Sequence, residues 1–212
     1  MKSNISLFIN TAAKGLQFGI LDDIRQVNNP HLNASFINMG DSKKALENSF
    51  TCINTLLKER DLTLKDVSKF YALLGPGSNT GIRLGLTIIK TIYGINPEIK
   101  MYGINTLKVF LQDKNDIALL SDRASNLFIG YYVGDDFINE RIDKANIYTD
   151  SRLINNKLFI DASDETTYFL LKDKYDVNRI NVIENMITLK DKFDDFSKNE
   201  ENFLPIYQVK IW

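Results

Sequence analysis

The chain has 212 residues, enough for one large domain or for two small lobes that each bury a core. Hydrophobic residues make up 44% of it and charged residues 25%, a composition that is typical of a globular protein and excludes a fibrous or disordered chain. Lysine and arginine (26) nearly balance aspartate and glutamate (27), so a net charge of −1 disfavours a protein that binds nucleic acid on its own.

Scarce residue types limit the chemistry further. Cys52 is the only cysteine and His31 the only histidine, which excludes an intramolecular disulfide, a histidine-rich zinc site and a Ser-His-Asp or Cys-His centre. We expect no catalytic residue and no metal site, although carboxylates alone remain an open alternative for a metal. His31 follows Pro30 in an asparagine-rich stretch and is expected in an exposed loop.

The N-terminus lacks the pattern of a secretory signal, and no apolar run approaches the ~20 residues that cross a bilayer. The sequence therefore predicts a cytoplasmic protein that does not enter a membrane. Along the chain, residues 5–10, 16–21 and 34–39 are extended segments separated by turn residues, which predicts a three-stranded antiparallel start.

A helix is predicted over residues 42–60, with Asp41 as its N-cap. It carries two neighbouring stripes at helical spacing. The first stripe is large and apolar, and it consists of Leu46, Phe50, Ile53 and Leu57. The second stripe is mostly small, and it consists of Ala45, Ser49, Cys52 and Leu56. We expect the large stripe to pack on the protein's own sheet and the small stripe to admit a second helix, its own or a partner's.

A buried strand at 67–74 leads into a glycine loop at 75–81 and a helix at 80–94. Gly75, Gly77, Gly81 and Gly85 predict unusual backbone angles or close packing there. The loop has neither the lysine of a Walker motif nor the spacing of a dinucleotide-binding fingerprint, so a ligand site and a tight structural turn are equally supported. The helix is apolar around most of its circumference, which predicts burial on two sides, and Gly81 with Gly85 would let another helix approach.

The second half again alternates strands and helices, with strands predicted at 99–102 and 117–120 on either side of a helix at 105–112. Residues 127–133 and 137–142 are predicted to form a hairpin, and 190–202 a solvated helix end or linker before a terminal strand at 206–211. We predict an N-terminal lobe over 1–100 that carries the partner-binding helices, and a smaller C-terminal lobe over 101–212.

The segment GPGSNTGIRLGLTIIKTIYG resembles the GPGSFTGxRxGxxxAKGLA motif of the bacterial TsaB (YeaZ) family. The matching motif positions are Gly75, Pro76, Gly77, Ser78, Thr80, Gly81, Arg83 and Gly85. Residues 104–107, 121–128 and 204–207 also resemble later landmarks of that family. The match is strong in the first half and loose in the second.

The resemblance implies an α/β protein with an actin-like, Hsp70-like (RNase H-like) two-lobe fold of mixed sheets flanked by helices. It also implies a non-catalytic subunit that forms a heterodimer with TsaD, works with the ATPase TsaE, and supports synthesis of threonylcarbamoyladenosine beside the anticodon of tRNAs that read ANN codons. No cofactor is expected on this chain, whereas ATP and a metal ion are expected on the partner subunits. Contact with tRNA is expected only through the complex.

The family forms its partner interface from the two helices at 42–60 and 80–94. On this basis we predict eight interface residues: Ala45, Ser49, Cys52, Leu56, Ile82, Leu86, Ile89 and Tyr93. Without TsaD, the same apolar face could pair two copies of the chain in a homodimer.

The sequence also departs from the family pattern. Asn10 stands where actin-like relatives commonly have an acidic residue, and Asn79 replaces a phenylalanine in the loop. The alternative functions are an independent actin-like ATPase or kinase and a peptidase. Asn10 argues against an ATPase or kinase, because no carboxylate is left at that position to bind the metal of a nucleotide. The single histidine argues against a peptidase, because it cannot supply both a base and a metal site. Ser78 is interpreted as a helix cap rather than a nucleophile.

Overall fold

The computed structural model describes residues 4–22, 34–39, 44–122 and 125–207. The strands in these residues are β1 (Ile5–Asn10), β2 (Gln17–Asp22), β3 (Ala34–Asn38), β4 (Val67–Leu73), β5 (Lys100–Ile104), β6 (Ile117–Ser121), β7 (Asn126–Val133), β8 (Asp136–Asp143), β9 (Leu158–Asp161), β10 (Val177–Ile180) and β11 (Asp194–Asp195). The α-helices are α1 (Ala45–Lys58), α2 (Asn79–Ile95), α3 (Glu165–Leu171) and α4 (Val182–Thr188).

The strands form two mixed sheets. The first has the order β11-β5-β4-β1-β2-β3, and the second has the order β10-β9-β6-β7-β8. In the first sheet β1 lies antiparallel to β2 and parallel to β4, and in the second sheet β6 lies antiparallel to β7 and parallel to β9. This arrangement of two α/β sheets confirms the predicted two-lobe fold class.

Strand β1 is buried along its whole length because helices cover both faces of the first sheet. A Cβ added to Gly85 of α2 would meet the Ile9 side chain at 3.4 Å, so α2 packs on the Ile9 face. Gly19 pairs with Phe8, and a Cβ added to Gly19 would meet Ile183 of α4 at 3.1 Å, so α4 packs on the opposite face. Buried strands with helices on both sides are apolar continuously rather than alternately.

The structure confirms most of the predicted elements, including the antiparallel start, the strand before the glycine loop, both long helices and the β7–β8 hairpin. The helix predicted at 105–112 is wrong, because only a 3-10 turn at Thr106–Val109 forms. The carboxylate of Asp116 accepts hydrogen bonds from the backbone N–H groups of Gln112 and Asp113, which ends helical pairing there.

The predicted linker at 190–202 contains two 3-10 turns, Lys190–Lys192 and Glu200–Asn202, and the short strand β11. Residues 206 and 207 are not in a strand, and the rest of the predicted terminal strand lies outside the described residues, as do His31 and Asp41. The division of the chain at residue 100 stays a prediction. Within the described residues, none of the helices combines the length and apolar character needed to cross a membrane.

Candidate functional site

The glycine loop packs against the turn between β1 and β2. Gly75 and Gly77 have φ values of +108° and +151°, which L side chains rarely adopt. A Cβ on Gly77 would lie 2.3 Å from the carbonyl oxygen of Ala12, and one on Gly81 would lie 1.8 Å from that of Thr11. The predicted close packing is therefore correct. Gly81 approaches the protein's own β1–β2 turn, which corrects the expectation that it admits a second helix.

Several backbone amides of the loop already have partners. The N–H of Gly75 donates to Thr106 Oγ1 at 3.2 Å, and the N–H of Ser78 donates to the Ala12 carbonyl at 2.8 Å. Ser78 Oγ accepts from the N–H of Gly81 at 3.2 Å and caps α2, as predicted. A phosphate cradle needs free amides at the helix start, so these bonds favour the structural-turn interpretation.

The capping role of Ser78 gives a direct test. Ser78→Ala is expected to lower the free energy of unfolding by about 1 kcal/mol, because the cap hydrogen bond to Gly81 is lost. Ser78→Asn is the matched control, since asparagine caps helices about as well as serine and carries no hydroxyl nucleophile. Urea denaturation of the three proteins measures the difference. Equal losses in both variants would contradict the capping role.

The C-terminal part of the chain is fastened to the same loop. The N–H of Ile206 donates to the Leu74 carbonyl at 2.6 Å. Arg83 Nε donates to the hydroxyl of Tyr207 at 2.7 Å. The two stretches that resemble separate family landmarks, the loop motif and residues 204–207, therefore meet in space.

A cleft of about 440 Å³ lies between the two sheets, beside the glycine loop. One wall is the β1–β2 turn, including Lys14, and the other wall comes from the second sheet. The polar residues that line the cleft are Lys14, Ser78, Ser121, Asp122, Lys144, Asp161, Asp164 and Thr166. The N–H of Lys14 donates to Asp161 Oδ2 at 3.3 Å and joins the two walls.

The carboxylates of the cleft bind the protein's own donors. Asp161 accepts from the backbone N–H and the hydroxyl of Ser163, and Asp164 accepts from the backbone N–H and the hydroxyl of Thr167. Burial raises the pKa of Asp161 above its ordinary value, against the hydrogen bonds from Ser163 and Lys14, which lower it.

Asp122 also has partners, because it accepts from the backbone N–H of Asn126 and forms an ion pair with Arg141. Asn10, where actin-like relatives commonly have an acid, is fully buried. Its amide donates to Gln17 Oε1 at 2.8 Å, and its Oδ1 accepts from the N–H of Ala13 at 3.1 Å. Asn10 therefore closes the β1–β2 turn.

These contacts do not fit a metal-bound nucleotide. In the actin-like pattern, the acidic residue at the position of Asn10 would bind the metal of such a ligand. Hard cations need several free oxygen ligands, usually carboxylates. Asn10 does not line the cleft, because its buried side chain bonds to Gln17 and Ala13 within the β1–β2 turn. The carboxylates that do line the cleft, those of Asp122, Asp161 and Asp164, all accept hydrogen bonds from internal donors. Over the described ranges, no three acidic, histidine or cysteine side chains cluster in a way that could hold a metal ion.

Helix α1 places the two stripes differently from the expectation. Ser49, Cys52 and Leu56 are buried in the protein's own core, and Ala45 is half-buried. Burial raises the pKa of the Cys52 thiol. From the large stripe, Ile53 and Leu57 are buried, whereas Leu46 is 54% exposed and Phe50 is 45% exposed. The small stripe therefore faces inward, which corrects the expectation that the large stripe alone packs on the sheet.

The predicted interface residues on helix α2 are also covered by the chain itself. Ile82, Leu86 and Ile89 are buried in the core, and Tyr93 is half-buried. Side chains that the chain itself covers cannot touch a partner without rearrangement, although the interface itself stays a prediction. The exposed residues of α2 are mostly small or polar, and they are Asn79, Thr80, Arg83, Thr87, Thr91, Gly94 and Ile95. The exception is Ile95 at the end of the helix, which is large, apolar and 81% exposed.

The exposed pair Leu46 and Phe50 is the feature that the sequence interpretation assigned to the wrong side. The two residues lie four positions apart and form one apolar surface on α1. Periodicity gives the angle between stripes on a helix but not the side that meets the sheet. The small stripe itself could have indicated the correct side, because small residues such as Ser49 let a helix lie close to its own sheet.

The sequence of the chain is similar to a protein family and to several known proteins. A model of the family described as TsaD, tRNA N6-adenosine threonylcarbamoyltransferase, matches residues 41–157. The uncharacterized protein MG208 of Mycoplasma genitalium is 25% identical over 130 residues, which are 61% of this chain and 64% of that protein. The tRNA threonylcarbamoyladenosine biosynthesis protein TsaB of Bacillus subtilis is 42% identical over 40 residues, covering 19% of this chain and 18% of TsaB.

Among solved structures, YeaZ from Pseudomonas aeruginosa superimposes with a TM-score of 0.67 at 11% identity, covering 96% of this chain and 99% of that one. A second structure, titled as an uncharacterized protein with similarity to peptidase YEAZ from Pseudomonas aeruginosa, gives a TM-score of 0.68 at 13% identity, covering 97% and 99% of the two chains. The chain therefore has the YeaZ fold, as the sequence resemblance predicts.

Proposed function

Because the chain belongs to the family described as TsaD, tRNA N6-adenosine threonylcarbamoyltransferase, we propose that it is a non-catalytic scaffold subunit of a threonylcarbamoyl transfer complex. In this role it pairs with a catalytic TsaD subunit. The pair then supports transfer of the threonylcarbamoyl group to the adenosine beside the anticodon in tRNAs that read ANN codons. TsaE joins the complex as its ATPase, and ATP and the metal ion bind to the partner subunits.

One observation carries the scaffold assignment. An actin-like catalyst would need free acidic ligands in the cleft between the sheets, but the carboxylates there accept internal hydrogen bonds. Asn10 offers no ligand either, because it is buried and bonded within the β1–β2 turn. A protein whose only histidine is His31 also has few groups for general acid-base work. What the chain does present is an apolar surface at Leu46 and Phe50, which suits protein association.

We place the TsaD interface on that surface and on the outward face of α2. Thr87, Thr91 and Gly94 are small enough to let a partner helix approach α2 closely. Leu46 and Phe50 then supply apolar contacts from α1. A stable heterodimer buries roughly 1,600 Å² in total. Without TsaD, the same surface would pair two copies of the chain about a two-fold axis.

The test of the function is the level of threonylcarbamoyladenosine in cells. Deleting the gene is expected to remove most of this nucleoside from total tRNA, as measured by mass spectrometry of digested tRNA, and the wild-type gene restores it. A gene with Ser78→Asn and Lys14→Ala restores it equally, because neither the loop hydroxyl nor the cleft ammonium takes part in chemistry. Loss of the nucleoside in that stable double variant would contradict a non-catalytic role, and no loss on deletion would overturn the proposed function.

A further inference from the structure

A second pocket, away from the cleft, is surrounded by lysines. It has a volume of about 410 Å³, and its charged lining consists of Lys108, Lys114, Lys192 and Asp113. The remaining lining residues are Ile104, Leu111, Gln112 and Tyr132. We call it the lysine pocket. Asp135 neutralises Lys114 by an ion pair. Lys108 and Lys192 against Asp113 then leave the pocket one net positive charge, although the whole chain has a net charge of −1.

Two of these lysines are available to a ligand. Lys114 forms an ion pair with Asp135. The Lys108 ammonium lies 5.2 Å from the centroid of the Phe137 ring, a cation-π contact that holds it in place without neutralising its charge. In the part of the chain that the structure describes, neither Lys108 nor Lys192 has an acidic partner.

The lysine pocket lies on the side of the first sheet opposite α2. Lys192 follows α4, which packs on the face that carries Phe8. The residue after Lys192, Phe193, meets Tyr71 on that same face with ring centroids 5.3 Å apart. Since α2 packs on the Ile9 face, a TsaD subunit seated along α2 leaves the lysine pocket open.

The chemistry of the pocket fits a phosphate group beside a base. Lysine binds phosphate as a compact charge, and several lysines together suit a chain of phosphates. The half-buried Tyr132 ring, packed edge-on against Phe137 at 5.2 Å, offers a fixed aromatic wall on which a nucleobase can stack. A free phosphate would use the charges and leave this wall without a role.

We propose that the lysine pocket binds the phosphodiester backbone of the substrate tRNA, with Lys108 and Lys192 contacting phosphates and Tyr132 beside a base. This inference rests on the proposed function, because it gives the scaffold subunit a share in holding the tRNA.

The test measures binding of a fluorescently labelled tRNA transcript that reads an ANN codon. The assay uses the complex of this chain with TsaD, and the chain alone is measured in parallel. Lys108→Glu with Lys192→Glu is compared with Lys65→Glu with Lys157→Glu, a control pair of exposed lysines that changes the net charge equally. We expect the pocket variant to raise the Kd at least about tenfold and to reduce the salt dependence of log K by about 2, whereas the control pair changes little.

Three outcomes overturn the proposal. In the first, the pocket and control variants bind tRNA alike. In the second, inorganic phosphate or AMP competes fully with tRNA at the pocket, which would make it a small-anion site. In the third, Lys108→Arg with Lys192→Arg loses binding as completely as the glutamate variant although it keeps both positive charges, which would show that these charges do not hold the tRNA backbone. The cellular nucleoside measurement tests the proposed function separately, so a failure of either can be told from a failure of the other.

Discussion

Replacing both Leu46 and Phe50 with aspartate is expected to abolish the complex with TsaD while leaving the folded monomer intact. Both side chains are about half exposed in the isolated chain, so the substitutions bury no charge in the core. At an interface, an aromatic anchor is typically worth at least about 2 kcal/mol, or about 30-fold in Kd. Two charged replacements in one apolar contact should exceed that loss.

The measurement is size exclusion with light scattering on the co-expressed proteins, followed by the Kd of the purified pair. Ile154→Asp is the matched control, because Ile154 is 52% exposed but lies outside α1 and α2. It should form the complex normally. A wild-type Kd for the Leu46 and Phe50 double variant would show that TsaD binds elsewhere, and the α1 surface would then need another explanation.

Ile82→Asp is not a suitable variant for testing the interface, although Ile82 belongs to the interface predicted from sequence. Its side chain is 1% exposed, and an aspartate there would leave a charge in the core of the chain. Loss of complex formation would then report unfolding instead of a lost contact. Exposed positions separate the two effects.

The sequence predicted the elements of the first sheet because their signals are local. Apolar runs bounded by turn residues gave β1, β2 and β4, and a serine before a glycine-containing apolar run gave the start of α2. The close packing of the glycine loop was also predictable, because four glycines in eleven positions have few other uses.

What the sequence did not predict depends on contacts between distant residues. The sequence predicted a helix at 105–112, but only the 3-10 turn Thr106–Val109 forms. The Asp116 carboxylate accepts hydrogen bonds from the backbone amides of Gln112 and Asp113, and local sequence patterns do not show this contact. The lysine pocket combines Lys108, Tyr132 and Lys192, which no spacing pattern connects. The hydrogen bond across the cleft likewise joins Lys14 and Asp161, which are 147 positions apart in the sequence.

Gly81→Ala is expected to cause the largest loss of stability that the structure predicts for a single methyl group. The added Cβ would lie 1.8 Å from the Thr11 carbonyl oxygen and 2.9 Å from its carbon. The obstacle is backbone, so no side-chain rotation relieves it. The β1–β2 turn and α2 must separate, which breaks the hydrogen bond from Thr11 Oγ1 to the Gly81 carbonyl at 2.7 Å. We expect the free energy of unfolding to fall by at least about 3 kcal/mol.

Gly94→Ala provides the matched control on the same helix. Nothing lies within 4 Å of a Cβ at Gly94, so alanine there should raise stability by about 0.5–1 kcal/mol through its higher helix propensity. Urea denaturation measures both changes. If Gly81→Ala proves insoluble, Gly85→Ala replaces it. The closest atom to its Cβ would be the Thr11 hydroxyl oxygen, at 2.7 Å, with Ile9 farther away at 3.4 Å, so Thr11→Ala should recover part of the loss. Equal stabilities for the Gly81 and Gly94 variants would mean that the glycine loop does not pack against the β1–β2 turn.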